Sequence, residues 1–390
     1  MPCSTAVKLP PATTWPSVGL LCLCSCTLPV FVGTDDEHMS TSMHVASETS
    51  DVEVTTSSAM EVSTSVGALT EDTASEPPDL PRFDLGSVDV DLACAMPALD
   101  CDEHVDVEEA VEGVAHALGI NCEGGGITSD GSLDLMGAPG SYRLVGALGD
   151  DDRFAPRHGA RAVLLSTGDA SHVELTPQEV IIKTDCSQIG LPCPSTDFPA
   201  AYDLEELPAP IEPQAITCPE GQPLPGSGDC SQTIDDQWGS GEPRLAHDYT
   251  ELRFTAEVPP GVAGITLQVA FLTAEYPPRF PTGYNDLALV WLESEQWTGN
   301  FALHPTLQLP LAAEVLQGGF DHTGKDAAIA SFAFAEHAAM DWMPLRAPVQ
   351  PGETVTLVAA VFDVSDGQVD TALLLDDLRW DCIAPTQGPR

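Results

Sequence analysis

Between Tyr249 and Leu378 the chain is a succession of short β-branched and apolar runs, each closed by Gly, Pro or Asp, and this spacing constrains its fold more than any other feature. The runs are Tyr249–Val258, Ile265–Tyr276, Asp286–Glu293, Ile329–Ala335, Thr354–Phe362 and Thr371–Leu378. Multiple strands at short spacing, with turn signals and almost no helical periodicity between them, predict an all-β fold, an antiparallel β-sandwich of jelly-roll-like type. Pro351–Cys382 shows the pattern most clearly. Pro351-Gly352 marks a turn, Thr354–Phe362 a strand, Asp363, Asp366 and Asp370 a loop, and Thr371–Leu378 a returning strand that carries Asp376 and Asp377. The expectation is a hairpin with carboxylates at one end.

Upstream the signals are weaker. Asp106-Val107-Glu108-Glu109 has the form of a capping box, Val107, Val111, Val114 and Leu118 share one face, and Gly119 supplies a stop, so one short N-terminal helix is expected there. Tyr142–Leu148, Arg161–Thr167 and Glu179–Lys183 look β-prone, whereas residues 186 to 243 are irregular, Pro-rich and hold four cysteines, which suggests disulfide-pinned loops.

Charge narrows the partners. Lys+Arg 14 against Asp+Glu 60 gives a formal net charge of -46, which disfavours nucleic acid and anionic membranes and favours divalent cations or neutral and basic partners. Cysteines narrow the compartment. Beyond Cys3, Cys22, Cys24 and Cys26 there remain Cys94, Cys101, Cys122, Cys186, Cys193, Cys218, Cys230 and Cys382, an even set without paired CxxC knuckles, pointing to disulfides and an oxidising compartment. About 105 pairings are open to them. The simplest local bridges are Cys186 with Cys193 and Cys218 with Cys230, and Cys382 is expected to reach back to Cys94, Cys101 or Cys122.

Residues 1–33 have the form of an export leader, with Lys8 before an apolar run, Val18–Val32, shorter than the ~20 residues of a spanning helix. Cleavage as an ordinary signal peptide and lipidation at Cys26, within Leu23-Cys24-Ser25-Cys26, are both open, and in the second case the lipid is the membrane attachment. Residues 34–81 form an acidic Ser/Thr-rich linker with too few large apolar groups to repay ordering, followed by a folded domain over 82–385 and a tail at 386–390.

Phe271-Leu272-Thr273-Ala274-Glu275-Tyr276-Pro277 followed by Tyr284-Asn285-Asp286 resembles the SxEYPxxxxxxFND core of the bacterial choice-of-anchor L domain. Phe154–Gly159 with Leu165–Gly168, Trp291–Glu295 with Trp297–Asn300, and Val361–Asp363 to Asp376-Asp377 fit in the same order, so that the likeness spans roughly Ala115 to Cys382. It implies an extracellular β-rich module on secreted or surface-attached bacterial proteins, without a settled enzymatic activity. The family's C-terminal anchor has no counterpart in the residues after Cys382, which leaves Cys26 as the expected anchor.

The chemistry-bearing candidates are oxygen ligands. Glu275, Asn285, Asp286, Asp363, Asp366 and Asp370 converge at one end of the sandwich if strands Ile265–Tyr276 and Thr354–Phe362 are neighbours, and hard oxygens in that number suit Ca2+. A solvated acidic turn is the alternative. Trp291, Trp297 and Trp342 are either core residues or flat faces for sugar rings. His337, beside Glu336 and near Asp341, is more often structural than an acid/base. No GxSxG, HExxH or GxxxxGK[ST] motif occurs. The expected function is a surface-displayed binding or adhesion module, with a structural calcium ion and a cell-surface protein or glycan as partner. The alternatives are an extracellular hydrolase using carboxylates near Glu275 and Asp286, and a purely structural surface-layer element.

Overall fold

The computed structural model describes residues 101–102, 111–123, 126–129, 133–184, 186, 190–213, 233–238, 244–281, 284–295, 297–364 and 366–385, all within one compact unit, Arg82–Arg390. The leader with Cys26, the linker, the Asp106–Glu109 capping box, Cys94, Cys218, Cys230 and the tail lie outside the described residues.

In chain order the elements are α1 (Val111–Ala117), β1 (Asp134–Met136), β2 (Tyr142–Val145), β3 (Ala162–Ser166), α2 (Pro177–Lys183), α3 (Thr233–Trp238), β4 (Ala246–Glu257), β5 (Gly264–Thr273), β6 (Asn285–Glu293), β7 (Thr298–Asn300), β8 (Leu311–Ala312), β9 (His322–Thr323), β10 (Ala338–Ala339), β11 (Met343–Pro348), β12 (Thr354–Val364) and β13 (Thr371–Asp381). They form two antiparallel sheets. The first runs β1-β4-β12-β6-β7 with β8 also on β6, and the second runs β2-β3-β13-β5-β10-β9 with β11 also on β5.

Side-chain alternation along the strands sorts the apolar residues into three layers. Leu252, Phe254, Phe271, Val290, Val361 and Leu373 face each other between the sheets. The opposite rows are covered as well. On the first sheet Tyr249, Leu289, Trp291, Val358 and Phe362 pack under Leu207, Ile211 and the α3 residues Ile234 and Trp238. On the second, Leu164, Ala270, Leu272 and Leu374 pack under Phe154, Ile329, Phe332 and Phe334. Burial on both faces explains why the central strands are continuous apolar runs instead of alternating ones.

Four sequence expectations change here. Thr354–Phe362 and Thr371–Leu378 are not a hairpin: β12 lies between β4 and β6 in the first sheet, whereas β13 lies between β3 and β5 in the second. Each strand, apolar on both faces, gains two hydrogen-bonded neighbours by this crossing. For the same reason β5 and β12 are not neighbours within a sheet. Ile329–Ala335 forms turns, not a strand, and serves as a lid whose Phe332 and Phe334 seal the second sheet. Glu179–Lys183 is helical, within α2, because Thr176 caps the helix, Pro177 opens it and Glu179 closes a capping box. That local signal outweighs the β-branched Val180-Ile181-Ile182, and it leaves Ile182 75% exposed. The α1 helix stops where expected, with Gly119 at φ 79, a left-handed position that glycine adopts without strain.

Cys186 is bonded to Cys193, and Cys101 to Cys122. Cys382 is disulfide-bonded too. Because Cys101 and Cys122 are joined to each other, neither is the partner of Cys382, contrary to two of the three pairings expected. Peptide mapping without reduction should recover Cys101–Cys122 and Cys186–Cys193; a Cys382 peptide joined to either Cys101 or Cys122 would contradict the fold. Trp291 is fully buried. Its replacement by Ala should cost roughly 3–5 kcal/mol in denaturant unfolding.

A carboxylate layer between the sheets

The inward-facing rows do not stay apolar to their ends. In six strands the same alternation that places a core residue continues into Thr or a carboxylic acid: Leu165 to Thr167, Leu252 to Thr250, Phe271 through Thr273 to Glu275, Ala288 to Asp286, Val361 to Asp363, and Leu373 to Thr371, with Asp248 following Thr250 at a bulge in β4. All these end residues are buried. Asp363 stands directly opposite Asp286 across β12 and β6, and Thr371 opposite Thr273 across β13 and β5. The layers are then linked from sheet to sheet, because the Thr371 hydroxyl hydrogen-bonds both the Thr273 hydroxyl, at 2.8 Å, and the Asp286 carboxylate.

Asp370 enters from beside this layer. Its Oδ1 accepts the backbone N–H of Thr196 at 2.8 Å, and its carboxylate rests against Gly168, where a Cβ would overlap it. Asp248, at φ 52, accepts the N–H of Phe198 at 3.1 Å. The amide N–H of Glu275 is held by the Thr273 hydroxyl at 3.1 Å. Asn285 serves the backbone instead, since its Oδ1 accepts the N–H of Glu314 at 2.9 Å and its Nδ2 donates to Gln237. Asp366 sits at the rim, 3.1 Å from the Arg279 guanidinium, which also lies 3.8 Å from Glu275.

The six expected site residues are therefore gathered at one end, but in distinct roles: Glu275, Asp286, Asp363 and Asp370 are buried acids, Asn285 is a structural amide and Asp366 a rim partner of Arg279. Asp248, Arg279 and the threonines were missed by sequence reasoning. The signal that would have found them is the row itself, an apolar period-two pattern ending in Thr and Asp. The tryptophans divide. Trp291 and Trp297 are core residues and present no face to a sugar, whereas Trp342 is half-buried. His337 is buried, its Nε2 hydrogen-bonded to the carbonyl of Pro192, and Asp341 pairs with His322 instead.

Electrostatically this end is expensive. Asp248, Glu275, Asp286, Asp363, Asp366 and Asp370 face one described cation, Arg279. Burial first, then neighbouring carboxylates, pushes Asp248 up to about 8 and Glu275 up to about 9. Burial raises Asp286 to about 7, with the Thr371 hydroxyl working the other way. Asp363 and Asp370 are driven well above the carboxylate range by burial and by the acids around them. Several oxygens have no hydrogen-bond partner: both of Asp363, and one each of Asp248, Glu275 and Asp370. Buried polar atoms of this kind are rare in native folds, and a proton or a cation would satisfy them. The donor set is carboxylate and hydroxyl oxygen, which suits a hard cation. Among the described residues no group of three or more His, Cys, Asp or Glu side chains is placed to hold a metal ion.

No protein-family model matches the chain, and no curated protein matches it significantly. The likeness to choice-of-anchor L domains rests on the residues quoted for it.

Two outcomes follow. In the unfolded chain these acids ionise near pH 4, but in the fold they hold their protons higher, so their contribution to stability is full below about pH 4 and is lost as pH rises toward about 9. In EDTA the melting temperature should fall across that window, and Asp286→Asn should flatten the fall. Gly168→Ala should cost roughly 1–3 kcal/mol in chemical unfolding, by pressing a methyl group into the Asp370 carboxylate.

Proposed function

We propose that the chain is an extracellular, surface-displayed binding module of choice-of-anchor L type, in which a structural divalent cation, Ca2+ by donor chemistry, neutralises the carboxylate layer between the sheets. The observation that carries this reading is Asp363. It is 1% exposed, it lies opposite Asp286, and neither of its oxygens has a hydrogen-bond partner. Asp363 and Asp286 would hold the ion beside the Thr371 hydroxyl, with Glu275, Asp370 and Asp248 as outer acids, because no three acids among the described residues are placed to hold a metal together. Its chemistry there would be charge neutralisation at the ends of the two sheets.

The bonded cysteines favour an oxidising compartment, and the charge of -46 favours neutral or basic partners at a cell surface. Lipidation at Cys26 belongs to the same proposal. Among the described residues no helix is long and apolar enough to cross a membrane. The hydrolase alternative has less support, because Glu275 and Asp286, the acids it needs, are only 3% and 1% exposed and a polymer substrate cannot reach them.

Thermal unfolding of the oxidised chain at pH 8 in EDTA, and with millimolar Ca2+, tests the proposal. Saturation at 100 times Kd stabilises by ~2.7 kcal/mol, a rise of several degrees. Asp363→Asn should remove that rise and, by deleting a buried charge, melt higher than the parent in EDTA. An unchanged melting point with Ca2+, or a rise that survives Asp363→Asn, would overturn the site.

A further inference from the structure

On the outer face of the second sheet, away from the row that carries the carboxylate layer, lies an open groove of ≈ 450 Å³ lined by Asp151, Asp152, Arg153, Arg157, Asp341 and Trp342. Its size falls within the ~300–1,000 Å³ of small-molecule sites. Its walls are held in place. The Asp341 carboxylate is gripped from two sides, by Arg153 at 3.2 Å and by His322 at 2.9 Å, and its backbone N–H donates to Asp321 at 2.9 Å. His322 is in turn 3.3 Å from Asp326 and edge-on to Phe154, which packs edge-on against Phe332. The opposite wall is pinned from beneath, where the buried Asp376 carboxylate accepts the backbone N–H groups of Arg157 and His158.

Inside this frame the functional groups are left unused. The half-buried Trp342 ring packs on the apolar cluster of the sheet's outer face, and its indole N–H is enclosed, so the exposed part of the ring is what it offers the groove. Among the described residues the guanidinium of Arg157 makes no ion pair or side-chain hydrogen bond, in a chain with only 14 basic residues against 60 acidic ones. Asp152 is exposed and likewise has no ion pair.

We infer that this groove binds a neutral glycan, with a pyranose ring against Trp342 and its hydroxyls shared between Arg157 and the carboxylates of Asp151, Asp152 and Asp341. The choice of ligand follows from the lining. Three carboxylates against two guanidiniums repel a strong anion and offer no apolar pocket to a peptide side chain. Each sugar hydroxyl both donates and accepts, so it satisfies a guanidinium and a carboxylate together. The C–H face of the ring covers the aromatic surface that Trp342 leaves exposed. The overall charge of -46 excludes acidic polysaccharides by the same argument. The inference rests on the chain being a binding module, and it does not require the cation.

The test is isothermal titration of the full oxidised chain with malto-, cello-, manno- and chitohexaose, with polygalacturonate as the anionic probe, each in Ca2+ and in EDTA at a temperature where both forms are folded. At least one neutral hexaose should bind in both buffers. Trp342→Ala should weaken it at least tenfold. Arg157→Gln and Asp152→Asn, at exposed positions, should weaken it severalfold while the melting temperature stays within a degree of the parent. Absence of binding to all four hexaoses, tighter binding of polygalacturonate, binding that survives Arg157→Gln and Asp152→Asn together, or binding lost in EDTA would overturn the inference. A melting point insensitive to Ca2+ with groove binding intact would remove the cation site alone.

Discussion

Desolvation of carboxylates between two sheets is the constraint on which the rest of this fold turns. A sandwich core is normally apolar to its edge, where water takes over. Here the final layer is acidic and still enclosed, so every oxygen that lacks a donor exerts its full cost in a low-dielectric space. Threonine hydroxyls relieve part of it, with Thr371 bridging Thr273 and Asp286 across the sheets. Arg279 relieves another part at the rim. Asp363 gains little, since the Thr167 hydroxyl is the one group working against its burial and the three acids around it.

Strand order makes this layer possible. Because β12 and β13 lie in opposite sheets, the short connection between them spans the sandwich and delivers Asp363 and Asp370 to the same end from two directions. Glu275 and Asp286 arrive similarly, from consecutive strands in opposite sheets. A hairpin would have placed its acids on one sheet edge, in water, where carboxylates cost little.

The covered outer faces have a second consequence. Sealing them requires loops that carry Phe154, Phe332 and Phe334 inward, and the polar flanks of those residues turn outward as the walls of the Asp341–Trp342 groove. Buried acids at Asp102 and Asp376 accept backbone N–H groups from residues 157 to 161 and give this wall a defined course without regular secondary structure. The inter-sheet layer and the groove therefore occupy opposite sides of one sheet.

The class of fold was legible because it depends on local chemistry. Long apolar β-branched runs between turns favour strands, and β4, β5, β6, β12 and β13 fall where those runs are. The stop at Gly119 was legible for the same reason, and α2 would have been had its cap at Thr176 been weighed against its β-branched middle. That Glu275, Asp286, Asp363 and Asp370 sit at strand ends was equally written in the sequence. Which sheet each strand joins was not, because an apolar run carries no mark of its neighbours, and so the hairpin at Thr354–Leu378 and the strand at Ile329–Ala335 were expected where neither occurs. Burial of the acids, the crowding of Asp363 by Asp286, Asp248 and Asp370, the sharing of Asp341 between Arg153 and His322, and the pairing of Cys101 with Cys122 were decided by tertiary structure alone. They depend on contacts between residues far apart in the chain, and the free energy of a carboxylate is set by what surrounds it, not by the residues next to it.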